Sequence, residues 1–147
     1  MANRYSALRK RQQEKIDKVF HETVFFAFNE EQFNHGMEKI GARFTSELYQ
    51  LGDSGGYYKK TDAPKIRQLF SDLEAERVEA FRNGGAEFAK EAFLEEMANH
   101  EYGYTYDLDP VIEALGFTED EVAGTPYLAE GLQMALSCYR DCMEVRA

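Results

Sequence analysis

The longest helical signal in the chain is interrupted at its centre by paired glycines. Ile66, Leu69, Phe70, Leu73, Val78 and Phe81 recur at the spacing of one helical face, and the pattern stops at Asn83-Gly84-Gly85. It resumes from Ala86 to about Asn99, with Phe88, Ala92, Phe93 and Met97 on the apolar side. Glycine is the residue that frees a helix end to reverse direction, so the junction predicts a helical hairpin. Thr61 or Asp62 is placed to cap the first of the two helices, with Pro64 in its first turn. A chain organised around such a pair must bury helix against helix.

The flanking segments extend this reading. A helix is expected from about Arg4 to His21, with a thin apolar stripe of Leu8, Ile16, Val19 and Phe20. Thr23 to Phe28 is rich in aromatic and β-branched residues; Val24–Phe28 fits a buried strand, and also the period of a continuing helix, and the strand is preferred. Asn29 with Gln32 three residues on forms a capping signature. Phe33, Met37, Ile40, Phe44 and Leu48 then predict a helix ending near Leu51-Gly52. A glycine loop, Gly52 to Gly56, precedes a short strand at Tyr57–Lys60. Later, Asp109-Pro110 opens a helix capped by Asp109 and ended by Gly116. Thr118-Glu-Asp-Glu121 is a capping box, and Thr125-Pro126 opens a final helix with Leu128, Leu132, Ala135, Leu136 and Tyr139 on one face. The expected fold is α+β, predominantly helical, with about six helices and a minor sheet of two or three short strands.

A length of 147 residues favours a single compact domain over the whole chain, and an apolar fraction of 44% supplies its core without metal or disulfide. Cys138 and Cys142 stand four apart on one helix, where a disulfide would close almost no loop, so both are expected as reduced thiols. No apolar run approaches the ~20 residues of a membrane span, and a cytoplasmic location is expected.

Charge is divided unevenly. Residues 1–20 carry six basic side chains (Arg4, Arg9, Lys10, Arg11, Lys15, Lys18) against two acidic ones. Residues 84–147 carry only Lys90, Arg140 and Arg146 against 14 acids, and the whole chain has a net charge of −10. Such a surface repels phosphate backbones and anionic lipids, so direct nucleic-acid binding by the acidic body and membrane binding are both disfavoured. The basic leading helix is expected to pair with the acidic body of its own domain, or else with nucleic acid or an acidic partner.

Several familiar strings carry no chemistry here. Gly52-Asp-Ser-Gly-Gly56 matches the surroundings of a serine-protease nucleophile, but Ser54 lacks the histidine, the buried carboxylate and the two β-barrels that such a mechanism needs. Lys59-Lys60-Thr61 lacks the glycine spacing of a phosphate-binding loop. His21-Glu22 and His100-Glu101 lack the second histidine of a helical zinc site. His35, Glu96, His100 and Asp107 remain as a set that could converge on a divalent metal. Leu115 to Tyr139 has the cadence of a helix-turn-helix, yet Glu119, Asp120, Glu121 and Glu130 stand where DNA reading requires basic or amide groups.

The most unusual segment is Asn99-His-Glu-Tyr-Gly-Tyr-Thr-Tyr-Asp107. In extended form it would place His100, Tyr102, Tyr104 and Tyr106 on one face and Glu101, Gly103, Thr105 and Asp107 on the other. Such a face either covers the core or makes a contact surface. Together with Phe25-Phe-Ala-Phe-Asn-Glu-Glu-Gln-Phe-Asn-His-Gly36 and Ala114-Leu-Gly-Phe-Thr118, this segment resembles a family of small proteins of unknown function carried by phages and mobile elements of Gram-positive bacteria. The resemblance implies an accessory role and transfers no active-site residues.

The functional expectation is a non-enzymatic interaction or regulatory protein with no cofactor, an inhibitor resembling nucleic acid in charge, directed at a basic protein partner. His100, Glu101, Tyr102, Tyr104, Tyr106, Asp107, Glu119, Asp120 and Glu121 would form its contact surface. The alternative is a small metal-binding protein or hydrolase built on His100, Glu96 and Asp107. A homo-oligomer with the tyrosine face at its interface is a third possibility.

Overall fold

A computed structural model describes the backbone of residues 3–146 and the side chains of residues 3–141. The fold is α+β and predominantly helical. Its α-helices are α1 (Arg4–Thr23), α2 (Glu30–Ile40), α3 (Ala63–Asn99), α4 (Tyr102–Thr105), α5 (Asp109–Ala114), α6 (Glu119–Gly124) and α7 (Pro126–Arg146). Strands β1 (Val24–Phe26), β2 (Leu48–Leu51) and β3 (Gly56–Lys59) form one antiparallel sheet in the order β1-β3-β2. Contacts divide the chain into two units, residues 1–9 with 76–147, and residues 10–75.

The second unit, residues 10–75, contains the sheet. Antiparallel pairing of Phe25 with Tyr57 and of Gln50 with Tyr57 makes β3 the central strand. Phe25 is buried between Phe33 and Tyr57, with ring centroids 5.6 and 5.4 Å away. Gly36 of α2 faces it, and a Cβ there would lie 2.0 Å from a Phe25 ring carbon. A glycine in mid-helix is thus explained by a ring that needs its space. Met37, Ile40, Ala27 and Ala42 complete this small core.

Helix α2 opens at Asn29, whose side chain accepts from Gln32 N at 2.8 Å, while Gln32 Oε1 accepts from Phe28 N at 2.8 Å. It is shorter than its apolar pattern predicts. Gly41 adopts φ 75°, Ala42 N donates to Met37 O, and the helix closes eleven residues after its start. Phe44 is therefore exposed and Leu48 begins β2, where the sequence pattern continues a helix. Glu47 fixes the new direction by accepting from Arg43 N and Phe44 N, which holds its carboxyl below the usual range. The glycine loop joins β2 to β3 as a hairpin. Ser54 Oγ donates to Leu51 O and accepts from Gly56 N, so it serves the turn.

The other unit is helical. The junction marked by Asn83-Gly84-Gly85 is real: Gly85 takes φ 61°, ψ −151° inside α3, a conformation outside any helix. Phe81 and Phe88, on either side of the break, meet edge to face at 4.9 Å. Phe81, Phe93, Met97, Val111, Leu115 and Leu128 form the fully buried centre, with Tyr5 and Leu8 of α1 packed among them. Thr118 and Glu121 form the expected reciprocal capping box of α6. At α5 the N-cap position is held by Leu108, without a capping side chain, and not by Asp109; the Asp107 carboxylate accepts from Asp109 N at 3.0 Å.

Candidate functional site

The acidic unit shows first what its few cations do. Residues 1–9 and 76–147 contain seven basic and 16 acidic side chains; residues 10–75 contain ten and eleven. Nearly all of the net charge therefore lies in one unit. Arg9 of α1 donates to Glu96 at 2.9 Å and Arg4 donates to Glu91 at 3.2 Å, while Arg82 lies 3.6 Å from Glu79. Arg77 donates to Leu115 O and lies over the Phe117 ring. The first turns of the basic helix thus neutralise carboxylates of their own unit.

Glu96 is the most buried of these carboxylates, its side chain only 4% exposed. Asn99 Nδ2 donates to it at 2.7 Å, and His100 Nε2 lies 3.8 Å from its other oxygen. Beside it Ser6 Oγ donates to Glu95 Oε1, while Glu95 Oε2 is buried with no hydrogen-bond partner among the described residues. Burial, and secondarily the Glu96 charge, pushes the Tyr5 hydroxyl far above its ordinary value of 10.0. Tyr5 remains neutral and serves the core.

The four residues that the sequence left open as a metal set are not gathered among the described residues. Asp107 is committed to α5, and His35 belongs to the sheet-bearing unit. Among the described residues no group of three His, Cys, Asp or Glu side chains is close enough to hold a metal ion. Cys138 is a half-buried thiol; the side chain of Cys142 lies outside the described residues.

The tyrosine segment is not extended. Glu101 and Tyr106 both adopt φ 54°, and the residues between them form the single turn α4. Helical spacing replaces alternation: Tyr102 meets Tyr106 four residues on at 5.8 Å, and Tyr139 of α7 at 5.3 Å. Gly103 admits Tyr139, whose hydroxyl would lie 2.2 Å from a Cβ at that position. Tyr102 is half-buried, whereas Tyr104 and Tyr106 are 88% and 68% exposed. His100 and the three tyrosine rings expected beside it do not share one face.

The exposed carboxylates divide by what the fold already asks of them. Asp107 accepts from the first N–H of α5, Asp109 stands in its first turn, Glu121 closes the α6 capping box, and Glu119 and Asp120 fill the α6 first turn. Acids at those positions favour their helices, so four of the expected contact residues, Asp107, Glu119, Asp120 and Glu121, have structural reasons to be acidic. Glu101, Glu113 and Glu130 have none. Glu113 even stands near the C-terminal end of α5, where the helix dipole disfavours it. Neither Glu113 nor Glu130 stands in the contact surface expected from the sequence, because a charged residue inside a helix looks like ordinary solvation until the caps are known.

Among the described residues no helix is long and apolar enough to cross a membrane. None of the curated proteins and none of the solved structures compared matches the chain. A family model, described as a family of unknown function (DUF7659), matches residues 4–138, and the chain belongs to that family.

Proposed function

We propose that this protein is a non-enzymatic, acidic interaction protein whose helical unit engages a basic protein partner, in the manner of a phage- or mobile-element-encoded inhibitor that resembles nucleic acid in charge. One observation carries the reading. From Glu91 to Tyr139 there is no lysine or arginine, and of the arginines of the same unit Arg9 is turned to the buried Glu96, Arg77 to a backbone carbonyl, and Arg4 and Arg82 to Glu91 and Glu79. Exposed on this unit are Glu101, Glu113 and Glu130, with no ion partner among the described residues, and the rings of Tyr104 and Tyr106. Tyrosine contributes contact area with few torsions to lose, and carboxylates supply steering and register. The partner is cytoplasmic and basic on this reading.

The test is a pull-down from source cells with the wild-type chain and with the triple variant Glu101→Gln, Glu113→Gln, Glu130→Gln. The expected result is a basic protein retained by the wild type, weakened on the variant, and released as salt rises from ~50 to ~200 mM, where the screening length falls below about 10 Å. A complex indifferent to salt and to the triple substitution sinks the proposal. A thermal shift with zinc or manganese would replace it by metal binding at Glu96 and His100.

A further inference from the structure

The sheet-bearing unit carries a second, separate surface. Strand β1 lies at the edge of the sheet. Ala27 N donates to Gly55 O, and Phe25 is the next residue in register with β3, opposite Tyr57. In an antiparallel ladder successive residues alternate between facing the partner strand and facing away. The N–H and C=O of Phe26 therefore point outward, and no backbone partner occupies them among the described residues. Unpaired edges are ordinarily blunted by proline, lysine or a covering loop. This one is instead bordered by two contiguous troughs of about 610 and 480 Å3 that share Val24, Phe26 and Lys39. Phe26 is 47% and Phe28 79% exposed along it.

Charge names the occupant. Lys39 borders both troughs and has no acidic partner among the described residues. The one carboxylate in the lining, Asp17, already accepts from Gln13 at 2.8 Å. The remaining polar groups at the rim, His21, His35 and Gln32, are able to donate. We infer that this edge takes up an extended acidic peptide of a partner protein by strand addition. The peptide's main chain bonds to Phe26, apolar side chains on one of its faces cover Phe26 and Phe28, and a carboxylate meets Lys39. The lining residues all belong to residues 10–75, and the surface binds a partner of opposite charge from the one proposed above.

The experiment selects octapeptides from a random display library on the immobilised full-length chain, then synthesises the enriched peptide with and without N-methylation of alternate residues. Expected are sequences alternating aromatic or β-branched residues with Glu or Asp. Affinity should fall at least tenfold on Lys39→Glu and at least tenfold on N-methylation, which removes main-chain donors and leaves side chains in place. Lys39→Gln, milder and equally exposed, is measured in parallel, so that a misfolded charge reversal does not decide the matter. Basic or absent consensus sequences, equal binding to the Lys39 variants, or equal binding of the N-methylated peptide overturns the inference. So does concentration-dependent dimerisation that the selected peptide competes away, since a second copy would then own the edge.

Discussion

Glu96 and Gly36 show how a single residue acquires a role that its type alone does not announce. A buried carboxylate is tolerated when it is both paired and hydrogen-bonded, and Glu96 has Arg9 and Asn99 for this. Removing one partner of a buried pair typically costs about 3–5 kcal/mol. Arg9 is half-exposed, so water replaces part of its interaction, and Arg9→Ala is expected to cost only about 1–2 kcal/mol in urea unfolding. Tyr5, in the same region, gives a pH signature. Its hydroxyl titrates higher in the folded chain than its ordinary 10.0, so its contribution is fully present below pH 10.0 and is lost as pH rises above that value. The melting temperature should fall above pH 10.0 more steeply for the wild type than for Tyr5→Phe, which keeps the ring contacts with Phe81 and Phe88. Equal slopes would show that the hydroxyl is not the titrating group. At Gly36 two effects oppose each other. Alanine gains about 1 kcal/mol of helix propensity over glycine, but a methyl driven into the Phe25 ring costs about 1–3 kcal/mol by overpacking. The ring is held between Phe33 and Tyr57, so the steric loss wins and Gly36→Ala destabilises. Adding Phe25→Leu should recover part of the loss.

At the level of elements, the difference between α2 and α3 lies in where glycine leaves the helix. Gly85 occupies a backbone region that other residues reach only at a cost of about 1–3 kcal/mol, and nothing lies within 4 Å of a Cβ there. Gly85→Ala is therefore expected to destabilise by about that amount through the backbone alone, as denaturant unfolding would show. The α3 break was legible because two glycines follow an asparagine and the apolar period visibly restarts. The α2 stop was not legible, because Phe44 and Leu48 continue the helical spacing by coincidence and Gly41 is single. The same coincidence hides β2, whose first residue, Leu48, fits the helical period. Strand β1 was only half legible, since the density of Val24, Phe25 and Phe26 suits a strand while Val24 and Ala27 also continue the helical period from Ile16 and Phe20; the α6 cap was legible from Thr118 and Glu121. The turn at α4 was not, because Tyr102 to Asp107 alternates like a strand. The local signal was overridden by a left-handed residue at each end and by Tyr139, which is distant in sequence. The candidate surface suffered accordingly: its acidic character was readable from composition, but the division between capping and uncommitted carboxylates required the helix ends.

For the whole molecule the remaining question is whether its charge serves stability or opposes it, and salt separates the two. If ion pairs dominated, added salt would destabilise the chain. In the acidic unit the Arg4–Glu91 and Arg82–Glu79 pairs are exposed, and such pairs are worth about 0–1 kcal/mol each. Against them stands an excess of nine negative charges within one unit, with no basic residue between Lys90 and Arg140. Their mutual repulsion acts over the screening length, which is about 30 Å at 0.01 M salt and about 8 Å at 0.15 M. Repulsion should therefore win, and the melting temperature should rise with sodium chloride across that range. The Glu101→Gln, Glu113→Gln, Glu130→Gln variant should begin higher and respond less. Glu119→Gln should not share the gain, because its carboxylate favours the first turn of α6. A triple variant that is more stable yet loses its basic partner would show that these carboxylates are kept against the interest of the fold, as expected of residues retained for binding. A melting temperature that falls with salt would mean that the charges hold the molecule together, and would leave them no separate reason to face outward.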